Sequence, residues 1–321
     1  GRFAWPDTWY IPELSSTTST PFSDNWLMIP ITVRDEIVAP VIMSTSCSLP
    51  LPAPDLTPSS GAAALRKPAT KLVSLKILSP RPGVSLWEIT RTPLTRHEGW
   101  SEVLEADVWL KREDLQSVFS FKLRGAYNKI ANLDAASCAN GIIAASAGNH
   151  AQGVALAAHH RGIKALIVMP RTTPGIKVKA VQTLGGKTLL HGDTYDEAYA
   201  HALQLAEQRS MVFIHPYDDP EVIAGQGTIA MELLQQHRDG LDAVFVPVGG
   251  GGLIAGIAAY MKALRPEIRV IGVEPEDAPC MYEALKRKRR VVLDQVGIFV
   301  DGVAVRQAGK EPYRLARKYV D

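Results

Sequence analysis

Residues 141–170 read GIIAASAGNHAQGVALAAHHRGIKALIVMP. The apolar run GIIAA ends in the small-residue turn SAGNH, a helical-period segment starts near His150, and a second apolar run, KALIVMP, follows. Two short, nearly all-apolar strands joined by a helix cannot form a hairpin. They call for a parallel pair buried on both faces.

Outward from this unit the same alternation continues. Upstream, DVWLK (107–111) precedes a helix from Ser120. Downstream come IKVKAVQTL (176–184), KTLLHG (187–192), YDEAYAHALQLAEQ (195–208), MVFIHP (211–216) and EVIAGQGTIAMELLQQH (221–237). AVFVPV (243–248), LIAGIAAYMKAL (253–264), RVIGVE (269–274) and a last helix complete the series. The expected class is α/β, with parallel sheets covered by helices on both faces. Such sheets take ligands beyond the carboxyl ends of their strands, so the loops there are the first candidates for a site.

Composition bounds the function. At 321 residues the chain is about twice a usual domain in length, so two domains are expected. Thirty-five basic against thirty-three acidic residues is too even for nucleic acid or an anionic membrane as main partner. No run of about eighteen apolar residues is free of charges or breakers, so no membrane span is expected. Three scattered cysteines suit neither a disulfide scaffold nor a zinc cluster. Residues 1–60 differ from the rest, with sixteen Ser or Thr, nine Pro, six acids and two basic residues, Arg2 and Arg34. Residues 1–80 are therefore expected to be a disordered leader. From about Met43 the leader is Ser- and Ala-rich with Arg66, Lys67 and Lys71, a composition that suits an organelle transit peptide.

Three loops carry chemistry. In KREDLQSVFSFKLRGAYNKI (111–130), Phe119, Leu123, Ala126, Tyr127, Ile130 and Leu133 fall on one helical face, which puts Lys122 in the first turn. The helix dipole disfavours an ammonium there, and a depressed amine pKa is what imine chemistry needs. In ASAGNHAQG (145–153), small residues and a helix start suit a carboxylate. In VPVGGGGLIAG (246–256), Gly249, Gly250, Gly251 and Gly252 between strand and helix permit a nest of N–H groups around one phosphate. The string satisfies neither the dinucleotide fingerprint nor a P-loop. Phosphate nest, carboxylate loop and helix-start lysine together imply a phosphorylated aldehyde held by a lysine, which is pyridoxal phosphate.

The strings KREDLQSVFSFKLRGAY, ASAGNHAQGVALAA, VMPRTTPGIKVKAVQTLGG, DDPEVIAGQGTIAMEL, VPVGGGGLIAGIA, GVEP and FVDGVAV resemble the biosynthetic threonine dehydratases, those of plants especially. The resemblance runs from about residue 85 to the end. It implies the fold type II architecture of the tryptophan synthase β-like enzymes. A small domain at 135–236 would be inserted into a large one made of 81–134 and 237–321. It also implies that Lys122 carries pyridoxal phosphate, Phe121 flanks the ring, Asn149 meets the ring hydroxyl, and Gly249–Gly252 with Leu253 hold the phosphate. Ser146, Ala147, Gly148 and Asn149 would take the substrate carboxylate. His150 is expected to be structural, and Glu113 and Asp114 to be solvated or hinge-supporting. The implied reaction is dehydration and deamination of L-threonine, with L-serine as a second candidate substrate, to a 2-oxo acid and ammonia, the first step of isoleucine biosynthesis. A homo-oligomer in a plastid, or otherwise in the cytoplasm, goes with it.

Some features depart from the family pattern. The family places a serine beside the pyridine nitrogen in a glycine-rich turn beyond the FVDGVAV string. The 321 residues include neither that turn nor a regulatory domain, so the chain as given is expected to be a truncated form with weak activity. Racemases of this fold hold a cation with a glutamate, a carbonyl and an aspartate. Glu274 and Ala278 match, but Cys280 replaces the aspartate, and no metal is expected. Racemases also carry a second acid/base serine where this chain has Ala147. The alternatives are a catabolic serine/threonine dehydratase, a serine racemase, or a non-catalytic cofactor-binding product.

Overall fold

The structure is a computed structural model that describes residues 89–238, 240–297 and 299–321, together with the backbone of 41–44. Its strands are β1 (Val41–Ser44), β2 (Leu94–Arg96), β3 (Asp107–Lys111), β4 (Ile142–Ala145), β5 (Ala165–Met169), β6 (Lys187–Leu190), β7 (Val212–Phe213), β8 (Ala243–Pro247) and β9 (Arg269–Val273). Its helices are α1 (Glu98–Leu104), α2 (Lys122–Asn132), α3 (Asn149–His160), α4 (Gly175–Thr183), α5 (Tyr195–Gln208), α6 (Pro220–Gln236), α7 (Gly252–Leu264), α8 (Cys280–Lys286) and α9 (Lys310–Tyr319). Every element expected from the periodicity is present.

Four strands form an all-parallel sheet in the order β6-β5-β4-β7. Its centre is β4, whose four residues are all buried, as a strand covered on both faces requires. The second sheet has the order β2-β3-β1-β8-β9 and is mixed. Here β8 and β9 are parallel, while β1 pairs antiparallel with both β3 and β8, and β2 antiparallel with β3. Thus β3, β8 and β9 run one way and only β1 and β2 oppose them.

One expectation is corrected here: the second sheet is not purely parallel. β1 lies within the stretch read as leader and fills the gap between β3 and β8. Composition averaged over sixty residues hid the apolar run VIM (41–43), which is the right length for a short strand. The remainder of 1–80, the transit-peptide reading included, lies outside the described residues.

Helix starts follow local chemistry. Thr194 and Glu197 form a capping box on α5, and the Asp219 carboxylate accepts from Glu221 N and Val222 N with Pro220 at the first position of α6. Packing is close where α2 meets α6: a Cβ on Gly225 would stand 2.5 Å from the Arg124 carbonyl oxygen, so only glycine lets the two backbones approach. One core cluster joins α6 and α7 to β8 and β9, and another joins α2 and α3 to β4 and β5. Between these two clusters lie the starts of α2, α3 and α7.

Candidate active site

Lys122 is the first residue of α2, as its sequence setting suggested. Its Nζ donates to the Pro216 carbonyl oxygen at 3.1 Å and lies 5.4 Å from the centroid of the Phe121 ring. Burial pushes its pKa down to about 8. Desolvation is the cause, because an ammonium loses its hydration among packed side chains. Phe119 was expected on the buried face of α2. It lies before the helix, 77 % exposed, with φ of +57°. A left-handed aromatic residue three positions before the amine is an uncommon backbone state.

The start of α3 comes up against α2. A Cβ on Gly153 would lie 3.1 Å from Leu123 N and 3.2 Å from Lys122 C, which brings the carboxylate loop beside the amine. Ser146 N donates to the Val168 carbonyl, and Ser146 Oγ accepts from Gly148 N at 3.2 Å. Ala147 and Gly148 are half-buried, Asn149 is exposed, and a Cβ on Gly148 would meet nothing within 4 Å. This loop therefore opens onto free space. His150 is buried and structural, as expected: its Nε2 donates to the Ile214 carbonyl at 2.9 Å. Burial, then the Lys122 charge, push its pKa down to about 3, so the ring stays neutral.

Gly249–Gly252 connect β8 to α7. Gly251 has φ of +91° and precedes the helix, and Leu253 in the first turn is buried. No side chain caps α2, α3 or α7, and none has an acid in its first turn. Elsewhere α1, α5 and α6 are capped by their own N-cap side chains, while Glu274 caps α8 and Asp218 caps α9 from a distance. α4 also begins without a side-chain cap. Helix starts left open leave N–H donors for anionic groups of a ligand. Glycine loop, open carboxylate loop and depressed lysine suit a ligand with an aldehyde and a phosphate.

Sequence reasoning missed the segment that joins these parts. Ile214 accepts from His150, and Pro216 accepts from Lys122. Tyr217 packs on Gly250 and Gly252, and Asp218 accepts from Lys310 N and Glu311 N at 2.8 Å each. The roles of Pro216, Tyr217 and Asp218 were missed because their partners lie up to about ninety residues away.

Of the two alternatives for Glu113, the solvated one falls, since the residue is 1 % exposed and paired with Arg124. Arg124 joins Glu113 and Glu232, and Lys111 joins Glu232 at 2.5 Å, all beneath the first turns of α2. Asp114 pairs at the surface with Arg112. The Glu274 carboxylate is occupied by Met281 N and Tyr282 N, and burial pushes it up to about 7. Cys280 Sγ donates to the Gly249 carbonyl oxygen.

Residues 86–321 match the family model described as pyridoxal-phosphate dependent enzyme. The biosynthetic L-threonine dehydratase of Pasteurella multocida is 59% identical over 72% of this chain and 45% of its own length. The chloroplastic biosynthetic threonine dehydratase 1 of Solanum lycopersicum is 56% identical over 72% of this chain and 38% of its own. The chain thus spans less than half the length of these curated relatives. Among solved structures, the processed form of threonine deaminase isoform 2 from Solanum lycopersicum superposes with a TM-score of 0.71 at 50% identity, covering 72% of this chain and 67% of that one. Maize serine racemase gives 0.70 at 34%, covering 72% and 70%. With its family match over three quarters of its length and a lysine amine, glycine loop and carboxylate loop in one place, the chain belongs to the pyridoxal-phosphate dependent enzymes of fold type II.

Proposed function

We propose that the chain is the catalytic part of a threonine dehydratase, an ammonia-lyase that converts L-threonine to 2-oxobutanoate and ammonia, the entry reaction of isoleucine biosynthesis. The observation that carries the reading is Lys122: an amine with a pKa of about 8 beside two anion-ready helix starts, in a chain 59% identical to a biosynthetic threonine dehydratase.

Pyridoxal phosphate, when bound, supplies a carbonyl for the amine and a ring that accepts electron density from the substrate's α-carbon. The glycine loop and the start of α7 would hold its phosphate, with Phe121 and Asn149 as further residues that would hold its ring. Ser146, Ala147, Gly148 and Asn149, at the uncapped start of α3, hold the substrate carboxylate and so fix which face of the α-carbon meets Lys122. Near neutral pH a usable share of Lys122 is unprotonated, and its Nζ takes the α-proton as general base. Loss of the β-hydroxyl as water leaves an enamine, which tautomerises to an imine, and addition of water to that C=N bond releases the 2-oxo acid and ammonia. Ala147 has no proton to exchange, which favours elimination over racemisation.

The domain reading is supported by the strand sets: every strand of the four-stranded sheet falls within 135–236, and β2, β3, β8 and β9 fall in 81–134 and 237–321. A plastid address is supported by the composition after Met43 and by the chloroplastic relatives of tomato and Arabidopsis thaliana. Retention of β1 in the sheet argues for a mature chain that keeps 41–44, and N-terminal sequencing of the mature protein decides between the two. Exposed Leu115, Phe119, Ile176 and Phe299 support self-association, which light scattering reads.

The test is keto acid release from L-threonine by the chain supplied with pyridoxal phosphate, with Lys122→Ala as control. Release by the unaltered chain and none by the variant supports the assignment. Equal release by both would falsify it.

A further inference from the structure

The four glycines have two tasks, and one is internal. Gly251 needs its left-handed φ. Gly250 and Gly252 answer instead to Tyr217. A Cβ on Gly250 would fall onto the Cγ, Cδ1 and Cδ2 atoms of the Tyr217 ring, closer than real side chains ever come. A Cβ on Gly252 would lie 3.0 Å from the Cα, Cβ and carbonyl oxygen of Tyr217. The ring therefore lies flat on the glycine loop, in the space a side chain would take.

Tyr217 is itself tightly held. Its backbone N donates to His215 Nδ1 at 3.2 Å, and the two rings meet edge to face at 4.7 Å. Its hydroxyl lies 3.5 Å from the Gln307 carbonyl oxygen. On the loop itself, Gly309 N donates to the Gly250 carbonyl oxygen at 3.0 Å, and Asp218 anchors the chain just after Gly309. The Gly250 peptide is thus held by the ring and by the lead-in to α9. The residue before Tyr217 is Pro216, whose carbonyl accepts from Lys122. Two consecutive residues therefore tie the amine to the phosphate loop.

We infer that Tyr217 is a positioning residue whose ring props the glycine loop at a fixed distance from Lys122 and so sets the preference for a phosphorylated aldehyde over its unphosphorylated counterpart. This rests on the pyridoxal phosphate reading above. A ligand gripped at both ends gains from a preorganised spacing. If the prop is removed, the loop N–H groups must be ordered anew for each phosphate bound.

Calorimetric titration of the full chain with pyridoxal phosphate and with pyridoxal tests the inference. The unaltered chain binds the phosphorylated form more tightly. Tyr217→Ala loses at least about tenfold of that preference, on the order of one charge-assisted hydrogen bond, while pyridoxal affinity stays the same. Tyr217→Phe keeps the preference, because it keeps the ring. Gly250→Ala, whose methyl collides with the ring, also loses it. An unchanged preference in Tyr217→Ala overturns the inference. So does an equal loss for both aldehydes, which marks a merely structural residue, or a Gly250→Ala chain that keeps the preference. If the unaltered chain binds neither aldehyde, the cofactor reading itself fails and takes this one with it.

Discussion

Replacing Arg124 with Met tests the most concentrated set of buried charges beneath the site. The guanidinium side chain is 1 % exposed. It gives Glu113 two bonds of 2.7 Å, gives Glu232 bonds of 2.6 and 2.9 Å, and reaches Thr228 Oγ1 at 3.0 Å. Burial pulls its pKa down, but Glu113 and Glu232 raise it further, so the charge is permanent. Two cations, Lys111 and Arg124, face two anions, and the formal sum is zero. Arg124→Met leaves that sum at −1. Glu232 keeps Lys111, but Glu113 keeps only Thr92 Oγ1 and Gln116. Breaking a buried pair by removing one partner costs about 3–5 kcal/mol, because the remaining charge is desolvated and uncompensated. Arg124→Met/Glu113→Gln restores neutrality and should recover at least about half of that loss. Urea denaturation of the three chains, followed by far-UV circular dichroism, measures both numbers. A single-variant loss under about 1 kcal/mol, or a double variant no better than the single, refutes the argument from uncompensated charge.

Three further outcomes follow from the site. The rate at which Lys122 reacts with pyridoxal phosphate should rise with pH and level off above about 8, where the amine is half neutral; an inflection near the ordinary 10.5 would show that burial does not depress it. His150 has a folded pKa of about 3, below the ordinary 6.5, so as pH falls between these values the unfolded chain takes the proton first and stability falls. The slope is about 1.4 kcal/mol per pH unit, and His150→Asn should flatten the acid limb of urea midpoints by that amount; an unchanged limb contradicts it. Incubation with L-serine should yield pyruvate without D-serine, since Ala147 carries no second proton; chiral chromatography showing D-serine at a rate comparable to pyruvate overturns the elimination reading.

The order of strands and helices was legible because it is written in local periodicity. β4 and β5 show as unbroken apolar runs, and α6 opens with Asp219 and Pro220, signals within a few residues of the feature they specify. Lys122 at a helix start and the glycines after β8 were legible for the same reason. Phe119 was misread because helical spacing extends past the helix start, whereas the positive φ that ends the helix there leaves no trace in spacing. β1 was missed because its apolar run is short and set in a Ser/Thr/Pro-rich stretch, and its pairing partners lie far along the chain.

The sequence by itself therefore determined the α/β class, most of the elements, and the placing of an amine at the start of α2 and of four glycines after β8. Tertiary structure decided what those groups experience. The Lys122 amine falls to about 8 through desolvation, which depends on everything packed around it. Its acceptor lies 94 residues away, the second glutamate on Arg124 lies 108 away, and the partner of Lys111 lies 121 away. Contacts at such separations leave no periodic signature. They exist only once the two sheets and their helices have closed on one another, because burial and hydrogen-bond geometry are properties of the packed interior and not of any short string.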